Sequence, residues 1–268
     1  KKHDFRGYIH LKTIPDASPE LIKQAGLYAD RLSINIELPS KQSLTLYAPE
    51  KDPVTIHRSM GQLRQHIDES KESRKRSKKT VSLAQRKSTK PTKFTFSPAG
   101  QSTQMIIGAD GSNDAKISTL ANRLYGSYQM RRVYYSAYSP IPNPAQLLPA
   151  KPPPLEREHR LYQADWLLRF YGFSVDEITP QASRYLPAHN ASGAPNTAAP
   201  NANAPNANSN NATAGMLDLD IDPKLAWALR SLDVFPVNIN RAPLELLMRV
   251  PGIGAISAHK IIKTRACR

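Results

Sequence analysis

The sequence contains one cysteine, Cys267, and no hydrophobic run long enough for a membrane helix. A single cysteine cannot form a disulfide within the chain, which excludes a small secreted fold held together by disulfides. A helix that spans a bilayer needs roughly 20 apolar residues, and a signal peptide needs an apolar segment that the lysine-rich start lacks. We therefore expect a cytoplasmic protein with no membrane partner.

The chain does contain enough apolar material for a core. Hydrophobic residues make up 40% of its 268 residues, which excludes wholesale disorder. The length exceeds that of an average domain, roughly 100–200 residues, so we expect one large domain and one small one. Because the chain begins at Lys1 without a methionine and ends at Arg268 within a predicted helix, we expect a fragment of a longer protein.

The net charge of +15 is concentrated in two short segments. Residues 58–93 hold 12 Lys and Arg against 3 Asp and Glu, and residues 238–268 hold 6 against 1. Such clusters attract phosphate backbones and give salt-dependent affinity. A run of Lys and Arg is also typical of a solvated helix face, and for residues 58–93 both interpretations stay open.

Strand and helix patterns alternate over the first part of the chain. In order, they predict a strand at 7–15, a helix from Pro19, a strand at 31–38, a helix at 54–70, a strand at 103–108, a helix at 114–128 and a strand at 131–138. This order is typical of a parallel α/β sheet, either half of a barrel or one doubly wound sheet.

The strand at 31–38 has one apolar and one polar face. Leu32, Ile34, Ile36 and Leu38 alternate with Ser33, Asn35 and Glu37. Parallel strands are usually covered on both faces, so a polar row on such a strand predicts the lining of a cavity.

The last third of the chain begins with an uncharged segment of low complexity. Residues 187–215 are almost entirely Asn, Ala, Pro, Ser and Gly, which is typical of a linker or insertion. Structure is expected to resume in residues 216–268, where Asp222 is placed to cap a helix.

Residues 240–265, NRAPLELLMRVPGIGAISAHKIIKTR, predict two short helices joined by a tight turn. Asn240 is expected to cap the first helix, and the second starts at Ala255. Gly252 and Gly254 permit positive φ and a close backbone approach. Ile253 is expected to fit between the helices, and Ala258 to leave room for them to approach. The free N–H groups at the start of the second helix can then bind a phosphate.

This segment resembles the helix-hairpin-helix motif, h-x-G-h-G-x-x-x-A-x-x-h-h. The resemblance implies contact with the DNA backbone, largely independent of sequence. The residues expected to make it are Gly252, Ile253, Gly254, His259, Lys260 and Lys263, with Arg265 adding charge nearby. An ordinary αα-hairpin with a Pro-Gly turn is the alternative.

The first 180 residues resemble the second half of a radical S-adenosylmethionine enzyme barrel. The resemblance rests on residues 7–40, on SPAGQSTQMIIGADGSND at 97–114 and on YYSAYSPIP at 134–142, followed by the hairpin. Within this superfamily, the resemblance is to the members assigned to DNA modification or repair. It implies an α/β fold, the second half of a parallel (β/α) partial barrel over residues 1–180, followed by a small all-α hairpin module over 216–268.

The resemblance also implies a cofactor site. Seven residues would contact S-adenosylmethionine or the substrate beside it: Ser33, Asn35, Glu37, Gly108, Asp110, Tyr138 and Ser139. Such enzymes hold a [4Fe–4S] cluster on three cysteines, and iron–sulfur ligation needs thiolates. Cys267 is not expected to be a ligand, so the cluster ligands are expected upstream of this chain, and its catalytic residues remain unknown.

Three functions are therefore compatible with the sequence. The first is a fragment of a radical S-adenosylmethionine iron–sulfur enzyme that modifies or repairs DNA. The second is a non-catalytic helix-hairpin-helix protein that binds DNA and has a structural α/β domain. The third is a glycosylase or nuclease that shares only the hairpin. The sequence leaves the target base and the oligomeric state open.

Overall fold

The computed structural model describes residues 5, 7–80, 95–142, 147–179 and 214–266. They belong to two compact units. The first unit comprises Lys1–Gly111 and Leu120–Pro153, and the second comprises Ser112–Thr119 and Pro154–Arg268. In the ranges given above, no helix is both long enough and apolar enough to cross a bilayer.

A four-stranded parallel sheet forms the centre of the first unit, with the strand order β1-β2-β3-β4. The elements are β1 (His10–Lys12), α1 (Pro19–Tyr28), β2 (Arg31–Ser33), α2 (Lys41–Tyr47), α3 (Pro53–Thr80), β3 (Gln101–Ile107), α4 (Asp114–Tyr128) and β4 (Arg132–Ala137). The predicted parallel α/β class is thereby confirmed.

One face of the sheet is apolar and buried, whereas the other is polar. Leu32, Met105 and Val133 are fully buried on the first face. On the second face, the in-register pair Gln104 and Tyr134 is only half-buried. Sequential parallel strands joined by right-handed crossovers carry their helices on one side, which explains why the two faces differ.

The second strand is shorter than the predicted span of 31–38. Its ladder ends at Ser33, because the N–H of Ile36 donates to the Thr103 hydroxyl at 2.9 Å rather than to a backbone carbonyl. Pairing returns only as an isolated bridge between Glu37, which has φ 65°, and Met105. The predicted alternation holds in part: the four apolar residues from Leu32 to Leu38 are buried and Asn35 and Glu37 are half-buried, but Ser33 is buried too.

Two helices of the first unit differ from the prediction. Helix α2 was not expected, and its start is fixed by Ser40, whose hydroxyl accepts from the Ser43 N–H at 3.0 Å. Helix α3 continues past the predicted end at residue 70 to Thr80. Asp68 stabilises this part of the helix by pairing with Arg64 and Lys71, each at 3.2 Å. Residues 81–93 of the basic segment lie outside the described residues.

The second unit is helical. Its elements are α5 (Leu155–Phe170), α6 (Val175–Ile178), α7 (Pro223–Arg230), a 3-10 turn (Leu232–Val234), α8 (Leu244–Arg249) and α9 (Ala255–Ala266). The predicted Asp222 cap is confirmed, because its carboxylate accepts from the N–H groups of Lys224 and Leu225. Residues 187–213 of the predicted linker lie outside the described residues, whereas the Gly215 carbonyl accepts from the Ala115 N–H at 2.8 Å.

A buried ion pair holds residues 112–119 to the rest of the second unit. The fully buried Asp114 accepts from the Arg157 guanidinium at 2.8 Å and from the Leu217 N–H at 2.9 Å. Arg157 also donates to the Ser112 carbonyl at 2.7 Å. Each carboxylate oxygen of Asp114 thus has a donor, which is the condition for burying a charge at tolerable cost.

Candidate nucleic-acid interface

The hairpin of α8 and α9 is built around a small apolar core. Ala242, Leu247, Met248 and Ala258 are buried, and Ile253, Ile261 and Ile262 pack against them. Ala258 is fully buried, so a larger side chain there would push the two helices apart. The sequence prediction of Ile253 and Ala258 as packing positions is confirmed.

The start of the first hairpin helix differs from the prediction. Asn240 does not cap α8; Pro243 occupies the cap position and has no side-chain hydrogen bond. Asn238 orders the approach instead, because its carbonyl accepts from the Arg241 and Ala242 N–H groups and its side chain accepts from the Asn240 N–H. A local Asn turn therefore replaces the predicted cap.

The turn between the helices depends on one glycine with a left-handed backbone. Gly252 has φ +82°, and a Cβ added there would meet no atom within 4 Å, so backbone conformation alone favours glycine. The Ile253 N–H closes the turn on the Val250 carbonyl at 3.1 Å. The expectation of positive φ is wrong at Gly254, where an added Cβ would make an ordinary contact with the Tyr171 hydroxyl at 3.5 Å.

The second hairpin helix presents its positive end and several cations. Helix α9 has 12 residues, and the N–H groups of its first turn have no partner within the helix. These groups and the helix dipole favour an anion at this end. Ile256, His259, Lys260 and Lys263 are exposed and line a shallow depression on the helix surface.

His259 and Arg265 are partly engaged within the hairpin. The His259 Nδ1 lies 2.7 Å from the Ala255 carbonyl, and because a carbonyl only accepts, Nδ1 is the donor. Arg265 donates to the Ile239 carbonyl at 3.0 Å and to the Ala242 carbonyl at 2.8 Å. Arg265 therefore ties the end of α9 to the segment before α8, which the sequence did not predict.

This segment therefore consists of two helices, a glycine turn with Ile253 packed against the core, and exposed lysines that follow the first turn of α9. Residues 235–268 match the family model of the helix-hairpin-helix motif. The chain as a whole matches no curated protein and no solved structure. The helix-hairpin-helix match confirms the predicted motif and indicates nucleic-acid binding.

Residues outside the matched segment support the helix-hairpin-helix turn. The Lys224 Nζ donates to the Ile253 carbonyl at 2.6 Å and lies 4.9 Å from the centre of the Tyr171 ring. Burial lowers the pKa of Lys224, and the charge of Asp222 acts in the opposite direction. The sequence held no signal for this contact, because Lys224 lies 29 residues before Ile253.

Arg249, at the end of α8, is held by residues of the second unit that precede the hairpin. Its guanidinium makes paired hydrogen bonds to the two Glu177 carboxylate oxygens at 2.8 and 2.9 Å, and it donates to the Gly172 carbonyl. Burial alone would raise the pKa of Glu177, but hydrogen bonds from Arg249 and from the Ser174 N–H, together with the Arg249 charge, lower it. Arg249 thus contributes less to the positive surface than its charge suggests.

The seven residues predicted to contact a cofactor lie at the carboxyl ends of β2, β3 and β4. Parallel strands end at the same edge, so the sheet brings these residues to one side. The Ser33 hydroxyl, the Asn35 side-chain oxygen Oδ1 and the Tyr138 hydroxyl are buried and have no hydrogen-bond partner among the described residues. Buried polar atoms of this kind are rare, and they are compatible with a polar ligand at this edge.

The other four residues of this sheet edge have different surroundings. Glu37 pairs with Lys51 at 2.8 Å, and Asp110 accepts a hydrogen bond from the Ser43 hydroxyl. Gly108 has φ +79°, and a Cβ there would overlap Pro153. Ser139 is exposed.

No metal centre is formed by the residues that the structure covers. Within those ranges, no three His, Cys, Asp or Glu side chains come together in a way that could hold a metal ion. Cys267, the one cysteine of the sequence, lies outside the described residues. A [4Fe–4S] cluster takes several cysteine thiolates, so this chain does not by itself fit that group.

Proposed function

We propose that the chain binds the DNA backbone through its helix-hairpin-helix motif, largely without regard to base sequence. The observation that carries the proposal is the Gly252 turn, which leads directly into the free N–H groups of the first turn of α9, with Lys260 and Lys263 exposed further along the helix. Backbone N–H groups and lysines contact phosphates, whereas sequence readout requires side chains at base edges. The basic helix α3, where Arg74 and Lys75 are exposed, offers a second set of phosphate contacts.

Binding of duplex DNA measured against salt concentration tests this proposal. We expect Gly252→Val to weaken binding about tenfold or more, because a β-branched residue is strained at φ +82°. The matched control is Gly126→Val, since Gly126 lies in α4 and an added Cβ there meets open space.

The same titration examines α3. Replacing Arg74 and Lys75 by alanine is expected to lower the magnitude of the log–log salt slope by about 0.9 for each phosphate that the protein no longer neutralises. Wild-type affinity that does not vary with salt, or a Gly252→Val protein that binds like the wild type, would contradict the proposal for the hairpin. An unchanged slope in the α3 variant would limit the DNA contact to the hairpin.

We further propose that the α/β unit is part of a radical S-adenosylmethionine barrel, and that the protein to which it belongs acts on DNA in modification or repair. Three features support this proposal: the sequential parallel strands, the polar sheet face and the unpartnered atoms of Ser33, Asn35 and Tyr138. These three side chains would hold S-adenosylmethionine, which supplies an adenosyl group on a sulfonium centre when bound. The cluster itself does not fit this chain.

Calorimetric titration with S-adenosylmethionine tests the cofactor site. We expect Asn35→Leu and Tyr138→Phe each to weaken binding by about tenfold, because each removes a hydrogen-bonding atom that the ligand would satisfy. Thr45→Ala serves as the control, since Thr45 is exposed and its hydroxyl bonds to the Lys41 carbonyl within its own helix.

A non-catalytic DNA-binding protein with a structural α/β unit is the second candidate. The observation in its favour is the single cysteine in 268 residues. No heat of binding for S-adenosylmethionine, together with intact salt-dependent DNA binding, would favour this candidate over the enzyme.

A further inference from the structure

Lys224 and Tyr171 form a support behind the hairpin turn. Lys224 lies in the first turn of α7, whose N-cap Asp222 accepts from the Lys224 N–H at 3.0 Å. Its side chain reaches the Ile253 carbonyl at 2.6 Å and crosses the Tyr171 ring at 4.9 Å. The Tyr171 N–H in turn bonds to the Leu167 carbonyl in α5 at 3.1 Å. The turn is therefore held from two helices that precede the hairpin.

The bond from Lys224 fixes the orientation of one particular peptide unit. The carbonyl of Ile253 and the N–H of Gly254 belong to the same planar group, and in a trans peptide they point in opposite directions. When the ammonium holds the carbonyl on its own side, the Gly254 N–H points to the opposite side. That N–H directly precedes the first-turn N–H groups of α9, so a fixed peptide adds one more donor to the same anion site.

The surroundings of the Lys224 ammonium favour its hydrogen bond to the Ile253 carbonyl. Lys224 is half-buried between a carbonyl oxygen, an aromatic face and the Asp222 carboxylate. A charged donor makes a stronger hydrogen bond than a neutral one, and a cation over an aromatic ring gains further stabilisation. An ammonium with these partners is poorly placed to bind a DNA phosphate itself.

We propose that Lys224 is a positioning residue for the phosphate-binding turn, and that Tyr171 holds the Lys224 ammonium in place. Lys224 acts through the Ile253–Gly254 peptide and does not contact DNA. The proposal rests on the proposed DNA-binding function, and it adds to the motif two residues that lie outside the matched segment, 235–268.

The test compares Lys224→Met with Lys263→Met in the full chain, using duplex DNA over a range of salt concentrations. Methionine keeps an unbranched apolar side chain and removes the ammonium. We expect Lys224→Met to weaken binding about tenfold at every salt concentration with an unchanged slope, because the variant no longer fixes the Gly254 N–H but keeps every lysine that neutralises a phosphate. For Lys263→Met, we expect the slope to fall in magnitude by about 0.9.

Lys116→Met is the matched control, since Lys116 is exposed and lies outside the hairpin. Equal affinity of Lys224→Met and wild type would overturn the positioning role. A salt slope reduced as in Lys263→Met would also overturn it, because Lys224 would then be a direct phosphate ligand. Neither result would contradict the proposed DNA-binding function. Wild-type protein without salt-dependent binding would instead contradict the proposed function.

A second variant separates positioning from loss of folding. If near-ultraviolet circular dichroism shows that Lys224→Met is unfolded, Tyr171→Leu removes the aromatic face but keeps an apolar side chain. We expect Tyr171→Leu to weaken binding about threefold, again with the wild-type slope, because leucine offers the ammonium no cation–π interaction. Wild-type affinity in a folded Tyr171→Leu protein would contradict the role of the ring.

Discussion

At the scale of single residues, His57 is the clearest titratable group in the first unit. Its ring stacks on Tyr128 with centroids 5.7 Å apart, and its Nδ1 is buried without a hydrogen-bond partner. Burial lowers the pKa of His57 from the ordinary value of 6.5. The folded protein therefore resists protonation of His57, whereas the unfolded chain takes up the proton at the ordinary pKa.

This difference predicts a loss of stability in mild acid. As the pH falls below about 6.5, protons bind the unfolded state first, so the free energy of unfolding decreases until the lowered folded-state pKa is reached. Urea unfolding at pH 7.5 and pH 5.5 should show the loss, and His57→Phe, which keeps the stacked ring, should reduce it. The exposed His159→Phe serves as control. An identical loss in His57→Phe and wild type would assign the effect to other groups, such as His10, whose pKa is also lowered.

The hairpin shows how far single residues could be predicted from the sequence. The glycine at 252 and the alanine at 258 follow from local backbone and packing rules, and both expectations hold. The cap at Asn240 failed because Asn238 forms the turn two residues earlier. Lys224 could not be predicted at all, since its contact with Ile253 depends on tertiary structure.

At the scale of elements, the Asp114–Arg157 pair joins the start of α4 to α5. Both side chains are buried, and Asp114 also accepts from the Leu217 backbone. Replacing only one partner would leave the other charge buried without compensation, which is far more costly than losing an exposed ion pair.

We therefore expect Arg157→Met to lower the free energy of unfolding by about 3–5 kcal/mol. Urea denaturation followed by circular dichroism gives the value. The control is Arg76→Met, because Arg76 and Glu72 form an exposed pair at 4.0 Å whose loss should change stability little. A small effect of Arg157→Met would mean that water or a rearranged side chain satisfies Asp114.

The extents of the elements were predictable where one periodicity dominates. Helix α4 begins and ends at the predicted residues, 114 and 128, because its apolar spacing is regular. Helix α3 exceeds its predicted end because charged pairs at i,i+3 and i,i+4, such as Lys71 with Asp68, continue the helix without apolar residues. Strand β2 is shorter because a side-chain hydroxyl, that of Thr103, replaces a ladder partner.

At the scale of the whole molecule, the positive charge is divided between the two units, and the polar sheet edge belongs to the first of them. The hairpin cations lie in the second unit, whereas α3 and the unpartnered atoms of Ser33, Asn35 and Tyr138 lie in the first. The alternation of strands and helices was sufficient to predict a parallel sheet. Closure of that sheet into a barrel stays a prediction, since four sequential strands can belong to barrels and to open sheets alike.

Helix α4 runs through the boundary between the two units. Its first residues belong to the second unit, through Asp114, and the remainder belongs to the first. Expressing residues 154–268 alone would therefore remove the carboxylate that neutralises Arg157 and leave this cation without its counter-charge. The second unit is discontinuous in the chain, so a shortened protein that contains the hairpin would also have to include residues 112–119.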